Sequence, residues 1–244
     1  MKKILFISGD KGGVGKTIVS RLLYDFLTQT KRQVAGYDCD KRNAQLFRHY
    51  ARRDPDTGQV IQNQTAMEGI TRLDIGSEMG LGHLLDDLEA FQPEFALVDL
   101  PAGGHGLLEK AETQFSFCEG AKELGYEVQI FHVLSRVKDS IHALNRLIGF
   151  FGNKVDYVAV KNGFFGDEKS FRRLDSSGVA QKIELSGGHI IYIPDLYDDI
   201  LDLIDEDNLT FSEAKASLKM PFSQRSMLSS WLNRVYEQFE KVNL

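Results

Sequence analysis

Apolar residues along this chain come in short blocks separated by amphipathic stretches, and that rhythm predicts strands alternating with helices. Buried runs of strand length fall at residues 4–7, 33–37, 95–100, 128–134, 155–160 and 190–193, and a further strand is expected over 70–75. Between them lie helical patterns. Residues 17–30 place Leu22, Leu23, Phe26 and Leu27 on one face, and residues 80–91 do the same with Leu81, Leu84, Leu85 and Leu88. Helices are also predicted over 43–50, 107–124 and 139–151. Residues 51–69 are polar and broken by Pro55 and Gly58, which predicts a surface loop or a weak hairpin. Two or three helices close the chain. Residues 226–242 align Leu228, Trp231, Leu232, Val235, Tyr236, Phe239 and Val242 on one stripe. The other face mixes Arg234 and Lys241 with Glu237 and Glu240, so the helix is expected to pack on the body of the protein rather than lie on a membrane. The expected fold class is α/β: a mostly parallel twisted sheet with helices on both faces, in a single domain spanning residues 1–244.

Composition narrows this little. At 244 residues the chain can bury a large core without staples. Cys39 and Cys118 share no C-x-x-C spacing, which points to a reducing cytosol and away from zinc or iron–sulfur sites. The net charge of −6 rules out a uniformly basic surface for nucleic acid, though not a local patch. No apolar run approaches the roughly 18 residues of a membrane span, and the opening MKKILFISGD is read as a strand rather than a signal peptide.

The chemistry concentrates in SGDKGGVGKT, residues 8–17, between the first strand and the first helix. Glycines there let the backbone close around phosphate oxygens, and the following helix offers its N-terminal N–H groups to the same anion. Lys16 is placed to reach the outer phosphates, and Thr17 to offer a hydroxyl to Mg²⁺. The general pattern G-x-x-x-x-G-K-[ST] would want glycine at position 10, where this chain has Asp10 and then a second lysine, Lys11. Two further strand ends carry acids: Asp38 and Asp40 after the second strand, and Asp99 at the end of FALVD. Ligands of parallel α/β sheets sit at such ends.

Lys11 to Thr17, K-G-G-x-G-K-T, resembles the deviant P-loop of the ParA/MinD family of P-loop ATPases, and DLPAGG (99–104) resembles that family's switch II. The resemblance implies ATP and Mg²⁺ as cofactors, with Lys11, Gly12, Gly13, Val14, Gly15, Lys16, Thr17 and Ile18 around the nucleotide. It further implies Thr17, and through water Asp99 and Asp40, at the metal. Asp40 would position the attacking water with Asp38 in support, and in switch II, which includes Pro101, Ala102 and Gly103, backbone groups at Ala102, Gly103 and Gly104 would sense the γ-phosphate. Asn43 or Gln45 fills a further family position. The base would sit by Asn162, whose amide could read adenine, and by Pro194 and Asp195, with ATP favoured over GTP. The resemblance also implies a homodimer with ATP sandwiched between subunits and Lys11 reaching the partner's nucleotide. An activating or adaptor protein would attend it.

The matrix such a dimer holds could be non-specific DNA, for which Lys41, Arg42, Arg48, Arg52, Arg53, Lys169, Arg172, Arg173, Lys215, Lys219 and Arg225 are candidates. The expected location is cytoplasmic, with nucleoid association if DNA is the matrix. Small plasmid partition, stability and mobilisation ATPases are the nearest in look. The alternatives are a membrane-positioning ATPase like MinD and a metabolic enzyme of the same fold that activates a carboxylate.

Overall fold

The computed structural model describes residues 2–77 and 79–244. Seven strands, β1 (Lys2–Gly9), β2 (Val34–Asp38), β3 (Ile70–Arg72), β4 (Phe95–Asp99), β5 (Tyr126–Leu134), β6 (Asp156–Asn162) and β7 (His189–Ile193), form one sheet in the order β3-β2-β4-β1-β5-β6-β7. Every pairing is parallel. The connections carry α1 (Lys16–Gln29), α2 (Gln45–Tyr50), α3 (Gly82–Phe91), α4 (His105–Phe115), α5 (Phe117–Glu123), α6 (Lys138–Phe151), α7 (Arg172–Asp175) and α8 (Gly178–Leu185). After β7 come α9 (Asp198–Glu206), α10 (Phe211–Ala216) and α11 (Phe222–Phe239).

Alternation along the strands sends side chains to two separate cores. Leu5 and Ile7 of β1 join α1, α2 and α9 to α11 on one face. Ile4 and Phe6 join α3 to α8 on the other. A sheet covered on both faces must be apolar at nearly every strand position, which is why its strands read as continuous apolar runs. The C-terminal stripe is covered: Leu228, Trp231, Leu232, Val235, Phe239 and Val242 are buried, and Phe239 stacks tilted against Phe26 of α1, 5.6 Å between ring centres.

Three departures from the sequence pattern have local causes. The helical stretch expected over 107–124 is two helices, because Ser116 takes a left-handed conformation and the Glu112 carboxylate accepts the Cys118 N–H (2.9 Å) to start the second. The strand expected over 70–75 ends at Arg72, where Asp74 turns the chain by accepting the Gly76 N–H (3.0 Å). The segment 163–188 holds two 3-10 turns and the short helices α7 and α8, whose periodicity is hidden by interspersed glycines and polar residues. Residues 51–69 carry one antiparallel bridge, Arg53 to Val60, around a turn in which Asp54 accepts the Thr57 N–H (2.8 Å).

Candidate functional site

β1 is the central strand, and the chain returns to the sheet on opposite sides of it with β4 and β5. That reversal opens a crevice at the C-terminal strand ends. The loop leaving β1 fills it. Gly13 (φ 75°) and Gly15 (φ 94°) are left-handed, a conformation that costs other L-residues roughly 1–2 kcal/mol. Gly15 is also pressed against a neighbour: a Cβ there would lie 2.3 Å from Asn162 Nδ2. Gly12 and Gly13 face open space, and Lys11 is exposed beside them.

Lys16 is the first residue of α1 and is buried. Its ammonium donates to the Lys11 carbonyl at 3.0 Å, closing the loop on itself. Burial lowers its pKa, opposed by the charges of Asp99, Asp10 and Asp40. Asp10 is held from outside the loop: its carboxylate accepts the Ser140 hydroxyl (3.2 Å), and that hydroxyl accepts the Ser135 N–H (3.2 Å). Ser140 lies in the first turn of α6.

Strand register aligns the acids. Asp38 and Asp99 are directly paired across β2 and β4, and Asp99 pairs Ile7 of β1 two residues before the loop. Asp99 is buried, and its Oδ1 has no hydrogen-bond partner among the described residues. Burial, then the nearby Asp38 charge, pushes its carboxyl up to about 7. The Thr17 and Ser20 hydroxyls and Lys16 offset part of that rise. An orphaned carboxylate oxygen beside a threonine hydroxyl is a hard-oxygen donor set short of a cation, and it fits hydrated Mg²⁺ shared with phosphate oxygens. Among the described residues no cluster of three His, Cys, Asp or Glu could cage a metal alone, as expected where phosphates supply most of the ligands.

Both oxygens of Asp38 are committed to backbone, accepting Asp40 N–H (3.0 Å) and Phe47 N–H (2.9 Å). The second bond caps α2, which has no local side-chain cap. Asp38 therefore fixes the loop after β2 that carries Asp40. Asp40 is half-buried; its Oδ1 accepts Arg42 and Asn43 N–H groups at 2.9 and 3.1 Å. Asn43 is exposed, whereas Gln45 is half-buried as the first residue of α2. After β4, Pro101 is half-buried, while Ala102 and Gly103 are exposed and their N–H groups make no hydrogen bond among the described residues. Gly103 (φ 73°) completes the turn into α4.

On the other side of the loop, Ile18, Asn162, Phe164, Pro194, Asp195 and Trp231 line a cavity of about 180 Å³ that reaches Gly13 and Gly15. Burial raises the pKa of Asp195. The Asn162 amide is held there: Nδ2 donates to the Val14 carbonyl (2.8 Å), and Oδ1 accepts Phe164 N–H (3.1 Å). These two bonds latch the loop and leave one amide N–H and one lone pair of Oδ1 without a partner among the described residues. The walls available to a base are mostly apolar, with the Asp195 carboxyl among them. Sequence reading placed Trp231 on the packing face of α11 and missed that its indole N–H fixes Pro194 through the carbonyl (2.7 Å). It also missed Ser140; the departure from glycine at position 10 was the available signal.

Fold and loop together define a nucleotide-binding P-loop protein. Residues 5–180 match the CobQ/CobB/MinD/ParA nucleotide binding domain, and the chain belongs to that family. It is 28% identical to Protein MobD of Acidithiobacillus ferrooxidans over 99% of this chain and 98% of that one. Its fold is similar to MinD of Pyrococcus horikoshii complexed with Mg-ADP (16% identity, 96% of each chain, TM-score 0.56). It is also similar to MinD of Pyrococcus furiosus (16% identity, 99% of each chain, TM-score 0.54).

Proposed function

We propose that the chain is a Mg²⁺-dependent ATPase that works as a dimerising switch, in the manner of the plasmid partition, stability and mobilisation ATPases. The observation that carries this is the division of labour between two lysines of one loop: Lys16 buried, with the Asp99 charge near enough to act on it, and Lys11 exposed at the rim, where a partner subunit could meet it. The full-length similarity to MobD supports the mobilisation branch.

In this reading Lys16 exchanges its bond to the Lys11 carbonyl for the outer phosphates, and Gly13, Val14 and Gly15 present backbone N–H groups to them. Thr17, and through water Asp99, would hold Mg²⁺, which would supply positive charge against the transferring phosphoryl. Asp40 accepts a hydrogen bond from the attacking water and orients it, its loop fixed by Asp38. The free N–H groups of Ala102 and Gly103 contact the γ-phosphate; losing those contacts on hydrolysis releases switch II and the dimer. The stripe of α11 is covered by the body of the protein, with Phe222 and Met227 at the start of the helix exposed, and among the described residues no helix is long and apolar enough to cross a membrane.

Of the basic residues, Lys41, Arg52 and Lys219 are paired with Asp74, Glu68 and Asp207, leaving fewer for DNA. The test is light scattering and phosphate release with ATP·Mg²⁺. Wild type should dimerise and hydrolyse ATP slowly. Asp40→Ala should dimerise and stall, and its co-sedimentation with duplex DNA or with anionic liposomes then identifies the matrix. A Lys11→Ala protein that dimerises and hydrolyses like wild type would sink the reading.

A further inference from the structure

Between α6 and the α7–α8 segment runs an open groove of about 520 Å³, outside the nucleotide site. Its floor is aliphatic, with Ile141 half-buried and Val179 buried. Its rim is cationic: Lys138, Arg173 and Lys182 are exposed, with His142 beside them. Among the described residues none of the three rim cations is in an ion pair, and no carboxylate lines the groove. Arg173 and Lys182 reach only neutral acceptors, the Arg136 carbonyl (3.4 Å) and the Asn145 side chain (2.9 Å). Asp175, the one carboxylate of α7, is turned away to Lys161 (2.6 Å). In a chain of net charge −6 a groove free of carboxylates runs against the overall balance.

We infer that this groove docks a peptide segment of a partner protein that carries aliphatic residues flanked by Asp or Glu. Aliphatic floor and cationic rim match such a segment side for side. A nucleic-acid backbone would use the rim but has no aliphatic group to set against Ile141 and Val179, and a flat membrane surface cannot follow a groove between two helices. The inference rests on the switch reading for its purpose: Lys138 and Ser140 share the first turn of α6, and Ser140 holds Asp10 of the phosphate loop (3.2 Å). An occupant that shifts that turn acts on the loop, so the groove is a place for the regulator of the ATPase.

The test is a selection of random peptides of roughly a dozen residues on the full chain, counter-selected on the triple variant Lys138→Glu, Arg173→Glu, Lys182→Glu. Selected peptides should combine Asp or Glu with Leu, Ile or Val. They should bind wild type roughly tenfold or more tightly than the triple variant, and lose as much when their acids become Gln or Asn. No groove-dependent peptides, or ones without acids, would overturn the inference. So would a triple variant that keeps its peptides but loses a duplex oligonucleotide, which would make the groove a nucleic-acid surface. ATP hydrolysis is measured on the same two proteins. If neither hydrolyses ATP, the switch reading fails whatever the peptides do. If both hydrolyse and no peptide depends on the groove, only this inference fails.

Discussion

Replacing Asn162 by alanine separates a latch from a base reader. The side chain joins two segments that meet only in the fold: Nδ2 ties the end of β6 to the Val14 carbonyl, and Oδ1 starts the turn at Phe164. Alanine removes both bonds, leaves the Val14 carbonyl without its partner and opens space beside Gly15. Two bonds at about 0.5–1.5 kcal/mol each give a loss of about 1–3 kcal/mol. For a chain of this length that is a fall of about 2–12 °C in melting temperature. The loss should already be complete without nucleotide. ATP affinity should drop because the loop is looser, yet the preference for ATP over GTP should stay within about threefold of wild type. Differential scanning fluorimetry without nucleotide and titration with both nucleotides measure this. An unchanged melting temperature together with a collapse of ATP preference would refute the latch and make Asn162 a base reader. Asn162→Asp is the control: it keeps the acceptor for Phe164 but sets a carboxylate against the Val14 carbonyl, and should be no more stable than alanine.

Other expectations follow from single contacts. His132 is fully buried on β5, neither ring nitrogen has a hydrogen-bond partner among the described residues, and burial followed by the nearby His105 pushes its pKa down to about 3. His49, buried beside Arg21, is pushed down to about 4. Both bind fewer protons folded than unfolded, so this part of the stability is present above about pH 6.5 and is lost as pH falls toward 4. His132→Leu should flatten that decline in pH-dependent melting and cost little at pH 8; a variant with wild-type pH dependence would refute this. Trp231, the only tryptophan of the chain, lines the cavity beside the loop, so its fluorescence should change when ADP or ATP is added, and Trp231→Phe should melt lower, by about 1–3 kcal/mol, because the Pro194 carbonyl loses its donor. Gly15→Ala should abolish nucleotide binding in filter assays, since its Cβ would collide with the Asn162 amide at 2.3 Å.

The parts of this molecule visible in the sequence are those with a local signature. A strand buried on both faces is a continuous apolar run, and Lys16-Thr17 after glycines marks a phosphate loop, so the sheet, most helices and the loop were legible. What side chains do across the fold was not. Asp38 reads as a site acid beside Asp40, but nothing local shows that its oxygens accept the N–H groups of Asp40 and Phe47. Asn162 reads as a base contact, but nothing local shows that it also donates to Val14, far back in the chain. Nor does any periodicity announce that Ser140, on the far side of β5, holds Asp10. Such pairings depend on strand order, and no local pattern encodes that β1 lies between β4 and β5.

The bond from Lys16 to the Lys11 carbonyl makes the loop its own first ligand. An incoming phosphate must break it, which at about 1 kcal/mol weakens affinity several-fold below what the same residues would give if left open. The same bond re-forms when a phosphate leaves, so the loop keeps its shape without a ligand, and a nucleotide held this way would dwell for a shorter time and exchange sooner.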